Sequence, residues 1–88
     1  MNAEQKKILR DALVETAVAA RPHSLTLASY KNAAILAGFR LPEAELLAHL
    51  DYLVEKQYLR VDEEELSAGV KRWKGTVLAV EYAERHGL

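Results

Sequence analysis

The run AGFRLP, residues 37–42, sets a glycine and a proline between two stretches of helical spacing. Gly38 suits the left-handed position that ends a helix, because it has no Cβ to clash there. Pro42 suits the first turn of the next helix, where its fixed φ helps and its missing N–H costs nothing. Two helices joined by so short a turn form a helix-turn-helix arrangement. The segment before the turn predicts a helix over 27–37 with Thr26 as its cap. The segment after it predicts a helix over 42–57. At about 100° per residue, Leu46, Leu50, Leu53 and Val54 share one side of that helix, and Ala44, Ala48, Tyr52 and Glu55 point the opposite way.

Upstream, Asn2 is a good N-cap, and Gln5 three residues on completes a capping box. Ile8, Leu9, Ala12, Leu13, Thr16, Ala17 and Ala20 recur at helical spacing and predict a helix over 3–20, ended by Arg21–Pro22. HSLT, 23–26, is too short for a helix and reads as a brief strand or an extended link. Downstream, YLRVD alternates large apolar with polar residues as a half-buried strand does. EEELSAG reads as a loop and VKRWKGT as a returning strand, which makes a hairpin over 58–76. VLAVEYAERHG predicts a closing helix over 77–86, with Leu78, Tyr82 and Ala79 or Ala83 inward. Helix, short strand, helix, helix, strand, loop, strand, helix is the order of a winged helix-turn-helix: mainly α with a small β-hairpin, in a single domain over 1–88.

A chain of 88 residues supports one small core. It has no cysteine, so disulfides and thiolate metal sites are excluded. The start, MNAEQKKILRDA, is polar and lacks the apolar core of a secretory signal. No run approaches the roughly 18 apolar residues a membrane span requires. These features predict a cytoplasmic protein without membrane contact, bacterial or viral in style.

Signals for catalysis are absent from the pattern. His23, His49 and His86 lie in separate elements, and Glu45 with His49 supplies two ligands where a structural zinc site needs four. Ser24, Ser29 and Ser67 sit in no nucleophile-elbow pattern. The four glycines, Gly38, Gly69, Gly75 and Gly87, are too dispersed for a phosphate loop. The DEEE run at 62–65 reads as a solvated wing edge, since acid–base pairs need two groups in different, shielded environments. No enzyme activity, cofactor or metal is expected.

The run AGFRLPEAELLAHLDYLVEKQYLRV, 37–61, resembles the small winged-helix proteins of Mu-like bacteriophages and prophages, some of which are similar to ArsR-type repressors. The shared features are the Gly-containing turn, apolar spacing like that of Leu46, Leu50 and Leu53, an aromatic at Tyr52, a helix passing directly into a wing strand, an aromatic at Trp73 in the returning strand, and a short final helix. The resemblance covers roughly residues 20–88 and implies a phage-type regulator. The family often has glycine where the third helix ends, and this chain has Gln57. A left-handed backbone costs more there for Gln, so the helix is expected to fray or turn differently. The Cys or clustered His and acidic ligands of the metal-sensing ArsR branch are missing.

Charge divides the functional readings. The net charge is −1, which argues mildly against nucleic acid, but the charges are segregated. Residues 42–57 carry Glu43, Glu45, Asp51 and Glu55 against Lys56 alone, whereas KRWK at 71–74 holds three cations around a tryptophan. In a helix-turn-helix protein the third helix enters the major groove. Tyr52 then reaches a thymine methyl or a phosphate, His49 bonds at the flank and Lys56 stands at the border as a further DNA contact, while the carboxylates repel the backbone. The wing is better suited: Lys71, Arg72 and Lys74 are the candidates for gripping phosphates of double-stranded DNA, with Trp73 expected in the core. Lys31 and Arg40 are the next candidates, because the second helix crosses the DNA backbone in this fold. The alternative is a protein-docking face on the third helix, formed by Ala44, Ala48, Tyr52 and Glu55, whose acidic rim would select a basic protein partner. A homodimer is also expected, paired through the terminal helices at Val14, Val18 and Val80.

Overall fold

The computed structural model describes residues 1–63 and 70–88, Glu63 by its backbone alone. Along the chain run α1 (Ala3–Ala20), β1 (Leu25–Thr26), α2 (Leu27–Leu36), α3 (Glu43–Glu55), β2 (Leu59–Glu63), β3 (Lys71–Gly75) and α4 (Val77–His86). The strands form an antiparallel sheet in the order β1-β3-β2, in which Trp73 sits opposite Leu25 on one side and Val61 on the other. This is a winged helix-turn-helix. The last two residues of HSLT pair with the wing, which gives β3 a neighbour on each edge. The part of the expected acidic wing edge beyond Glu63, and the loop with Ser67 and Gly69, lie outside the described residues.

Local chemistry accounts for the ends of α1 and α2. The Asn2 carboxamide accepts the Gln5 N–H at 2.8 Å while the Gln5 side chain accepts the Asn2 N–H at 2.9 Å, so two end donors are satisfied reciprocally. At the close of α2, Gly38 takes φ +97°, and the N–H groups of Gly38 and Phe39 reach back to the carbonyls of Ile35 and Ala34. Pro42 stands one place before the expected first turn, as the N-cap of α3.

At the end of α3 the structure corrects the expectation for Gln57. The helix does not fray: Gln57 enters the left-handed region at φ +66°, its N–H bonds the Val54 carbonyl at 2.9 Å, and the Tyr58 N–H bonds the Leu53 carbonyl at 3.0 Å. A cross-link holds this backbone in place. The Thr76 hydroxyl donates to the Gln57 carbonyl at 2.6 Å, and the same oxygen accepts the Ala79 N–H at the start of α4. Left-handed backbone costs an L-residue with a Cβ roughly 1 kcal/mol that glycine does not bear. Gln57→Gly is therefore expected to raise stability by about 1 kcal/mol, seen as a thermal midpoint roughly 4–8 °C higher by circular dichroism. An unchanged or lower midpoint would mean that the position carries no strain.

The core gathers Leu9, Leu13, Val14 and Ala17 of α1, Tyr30 and Ala34 of α2, Leu46, Leu50 and Leu53 of α3, Leu59, Trp73, and Ala79 of α4. The inward faces of α1 and α4 depart from expectation at Ile8 and Leu78. Ile8 is 49 % exposed, because Val14 draws the buried arc of α1 to the other side of the wheel. On α4 the small Ala79 and Ala83 face inward while Leu78 stays exposed, since α4 lies close against α1. Close approach also explains Gly75: a Cβ there would stand 3.1 Å from the Ala17 carbonyl carbon and oxygen, so β3 meets the α1 backbone directly. Among the described residues, no helix is long and apolar enough to cross a membrane.

Candidate nucleic-acid interface

Strand alternation sorts the wing cations onto two faces. Trp73 and Gly75 are buried on the core side, and Lys71 lies at the open end of that side with its Nζ 5.9 Å from the Trp73 ring centroid. Arg72 and Lys74 point to the opposite, outer face. Register places Arg60 directly across from Lys74 and Asp62 across from Arg72. Among the described residues, this face thus carries Arg60, Arg72 and Lys74 against the one carboxylate of Asp62. Arg60 was not among the expected contacts, although the alternation in YLRVD puts it on the same side as Asp62. Glu63 is the register partner of Lys71.

The outward face of α3 is acidic and small. Ala44, Glu45, Ala48, Asp51 and Glu55 are exposed, as is Glu43 at its start. Asp51 takes the outward place expected for Tyr52, which is half-buried and turned toward α1. There the Arg10 guanidinium carbon lies 3.7 Å from the Tyr52 ring centroid, a stacked cation–π contact. His49 is likewise displaced from its expected place at the groove flank. It is 7 % exposed, and the Arg10 Nε–H is directed at its Nδ1 at 3.3 Å. The wheel angle of His49 lies between those of Leu53 and Tyr52, so once α1 covers that side the imidazole is enclosed and cannot reach a base edge.

Burial holds the His49 pKa below its ordinary 6.5, with the Arg10 charge beside it acting the same way, Glu45 opposing, and Lys6 adding to the depression. A base whose pKa falls on folding binds fewer protons when native than when unfolded at pH values just below 6.5. Its contribution to stability is therefore complete above that pH and is lost as pH falls toward the folded value. The urea midpoint of the protein is expected to drop between pH 7 and pH 5 by more than that of His49→Gln. Parallel midpoints for the two proteins would show that His49 does not titrate in this way.

The remaining candidates fall into separate places. Lys31 and Arg40 are brought together on the rim of a cavity of about 100 Å³ floored by Ala34, Phe39 and Leu46. Lys56, exposed at the end of α3, faces the Tyr52 ring at 5.7 Å, away from the wing cations. Val14, expected at a dimer seam, is 1 % exposed within the core and cannot face a second copy. Val18 and Val80 are half-buried, Val18 packed against the core. Arg10 was missed because its role depends on α1 lying over α3, a contact across 39 residues that no local pattern announces. No group of three or more His, Asp or Glu among the described residues is placed to hold a metal.

The same fold is found in solved structures. Two crystal structures of the adhesin competence repressor (AdcR) from Streptococcus pyogenes, one of them C-terminally His-tagged, superpose with TM-scores of 0.63 and 0.61 at 20 % and 21 % identity over 99 % of this chain. This chain spans about half of that repressor, 54 % and 55 % of the two crystallised chains. Human N-acetylserotonin methyltransferase, crystallised with SAM, aligns with a TM-score of 0.59 and 20 % identity over 85 % of this chain and 20 % of its own. No family model matches the chain, and neither does any curated protein sequence. The architecture is therefore the winged-helix fold, which this chain shares with that repressor. Because it also recurs inside an enzyme, the fold by itself assigns no chemistry, and function has to be argued from the surface.

Proposed function

We propose that this chain is a DNA-binding regulator of transcription whose contacts with the duplex are led by the wing. The observation that carries the reading is the outer sheet face. Arg60 and Lys74 stand directly opposite one another, and Arg72 lies two residues along the same strand. Like charges opposed across a ladder work against the sheet, and a phosphate backbone laid along this face turns that repulsion into attraction. Likeness to a repressor of the same architecture supports the reading. A phage or prophage setting rests on the residue pattern of 37–61, and pairing of two copies would bring two wings to one duplex and multiply a weak contact.

Titration of random-sequence duplex at low salt tests this directly. The double variant Arg60→Ala/Lys74→Ala is expected to bind roughly tenfold more weakly, with a slope of log affinity against log salt shallower by nearly 2. The variant removes a like-charge pair from an outer face, so the fold is expected to survive it. Unchanged affinity would overturn the wing-led reading.

A second reading has its own observation. The exposed face of α3 combines Ala44 and Ala48 with Glu45, Asp51 and Glu55, a surface complementary to a basic protein. Under that reading the third helix docks a partner and no duplex is bound.

A further inference from the structure

We propose that the cavity between α1, the C-terminal end of α3 and α4 is a binding site for a small aromatic carboxylate. The cavity holds about 340 Å³, within the range of small-ligand sites. Its charge runs against that of the chain as a whole. Lys7, Arg10 and Lys56 line it against the single carboxylate of Asp11, although the protein carries a net charge of −1.

That one carboxylate is already engaged. Asp11 receives Lys7 Nζ at 2.6 Å on one oxygen and the Tyr82 hydroxyl at 2.5 Å on the other. The positive charge left over belongs to Arg10 and Lys56, which approach the Tyr52 ring to 3.7 Å and 5.7 Å. Arg10 directs its Nε–H to His49 and holds its guanidinium carbon 3.7 Å from the Tyr52 ring centroid, and its terminal amino groups have no hydrogen-bond partner among the described residues. A planar fork held in this way matches the two oxygens of a carboxylate. Lys56 adds a second cation at the mouth.

The rest of the lining specifies the body of the ligand. Val14 and Leu53 border the cavity while almost wholly buried, and Tyr52, Tyr58 and Tyr82 complete its lining, the last two with ring centroids 5.0 Å apart. Aromatic rings beside cations suit a ring bearing an anion better than an aliphatic acid or a bare phosphate. This site goes beyond the DNA reading and stands without it. An occupant would touch α1, α3 and Tyr58, the residue that leads into β2 of the wing.

Titration of the whole chain with benzoate, followed by amide chemical shifts, tests the proposal. Perturbations are expected to centre on the lining residues. Acetate (charge without ring) and benzamide (ring without charge) are each expected to bind about tenfold more weakly or worse, as loss of a charge-assisted contact implies. Lys56→Gln, at an exposed position, is expected to weaken benzoate severalfold, and Arg10→Met to abolish its binding. Should Arg10→Met perturb the fold, Lys56→Gln decides. Benzoate that leaves the lining unperturbed, binds no better than acetate or benzamide, or is indifferent to Lys56→Gln overturns the proposal.

Discussion

Trp73→Ala is expected to remove most of the stability of this protein. The indole is 1 % exposed at the middle of the central strand, with Leu25 and Val61 as its register partners on either side. Tyr30 meets it edge-on, with centroids 6.1 Å apart and planes at 87°, and the Tyr30 hydroxyl donates to the Trp73 carbonyl at 2.9 Å. Truncating a buried tryptophan to alanine costs roughly 3–5 kcal/mol, the lost transfer energy plus the cavity left behind. A domain of this length has only about 4–13 kcal/mol in total. The urea midpoint by far-ultraviolet circular dichroism is therefore expected to fall by about 2 M. Trp73→Phe is the companion measurement. The indole N–H is buried with no acceptor among the described residues, so phenylalanine removes an unsatisfied donor while keeping much of the ring. It is expected to cost less than about half of what alanine costs. A midpoint for the alanine variant within about 0.5 M of the parent would refute the central place given to Trp73.

The same tryptophan shows what could be read from the residues alone. Its position in the returning strand, the capping box at Asn2 and Gln5, the Gly38 turn and the Leu46, Leu50, Leu53 stripe are each set by interactions within a few positions along the chain. Periodicity reports such interactions, and these features stand in the structure as expected. What was illegible depends on elements far apart. His49 looks like a surface residue on a helical wheel until Arg10 arrives from α1. Tyr52 looks outward until the same arginine covers its ring. On α4 the expectation for Ala79, Ala83 and Tyr82 held and only Leu78 departed from it: size normally argues for burying leucine, whereas close packing against α1 selects the alanines. Gln57 was misread because local cost favours glycine, and the Thr76 hydrogen bond that holds the turn comes from 19 residues away. Arg60 was a different case: the alternation was visible, and only its pairing with Lys74 gave it significance.

Under the wing-led reading, reversing the acidic face of α3 is expected to convert a weak duplex binder into a strong one. Asp51 and Glu55 are exposed on the side of α3 that would enter a groove, and each repels phosphate at that position. Asp51→Lys with Glu55→Lys removes two repulsions and adds two cations. The slope of log affinity against log salt is expected to steepen by about 2, and affinity for random duplex at low salt to rise on the order of 100-fold. Stability is expected to hold, because both positions lie toward the C-terminal end of the helix, where cations suit its dipole and no cation now occupies the last turn. Glu43 and Glu45 are left in place, since carboxylates in the first turn favour the helix. The outcome separates the two functional readings. If the wing already holds DNA, α3 faces the duplex and the reversal strengthens binding in this measure. If α3 is a docking face for a basic protein and the wing holds nothing, the variant gains at most the salt-sensitive stickiness of two added charges, and Arg60→Ala/Lys74→Ala placed on top of it changes nothing further.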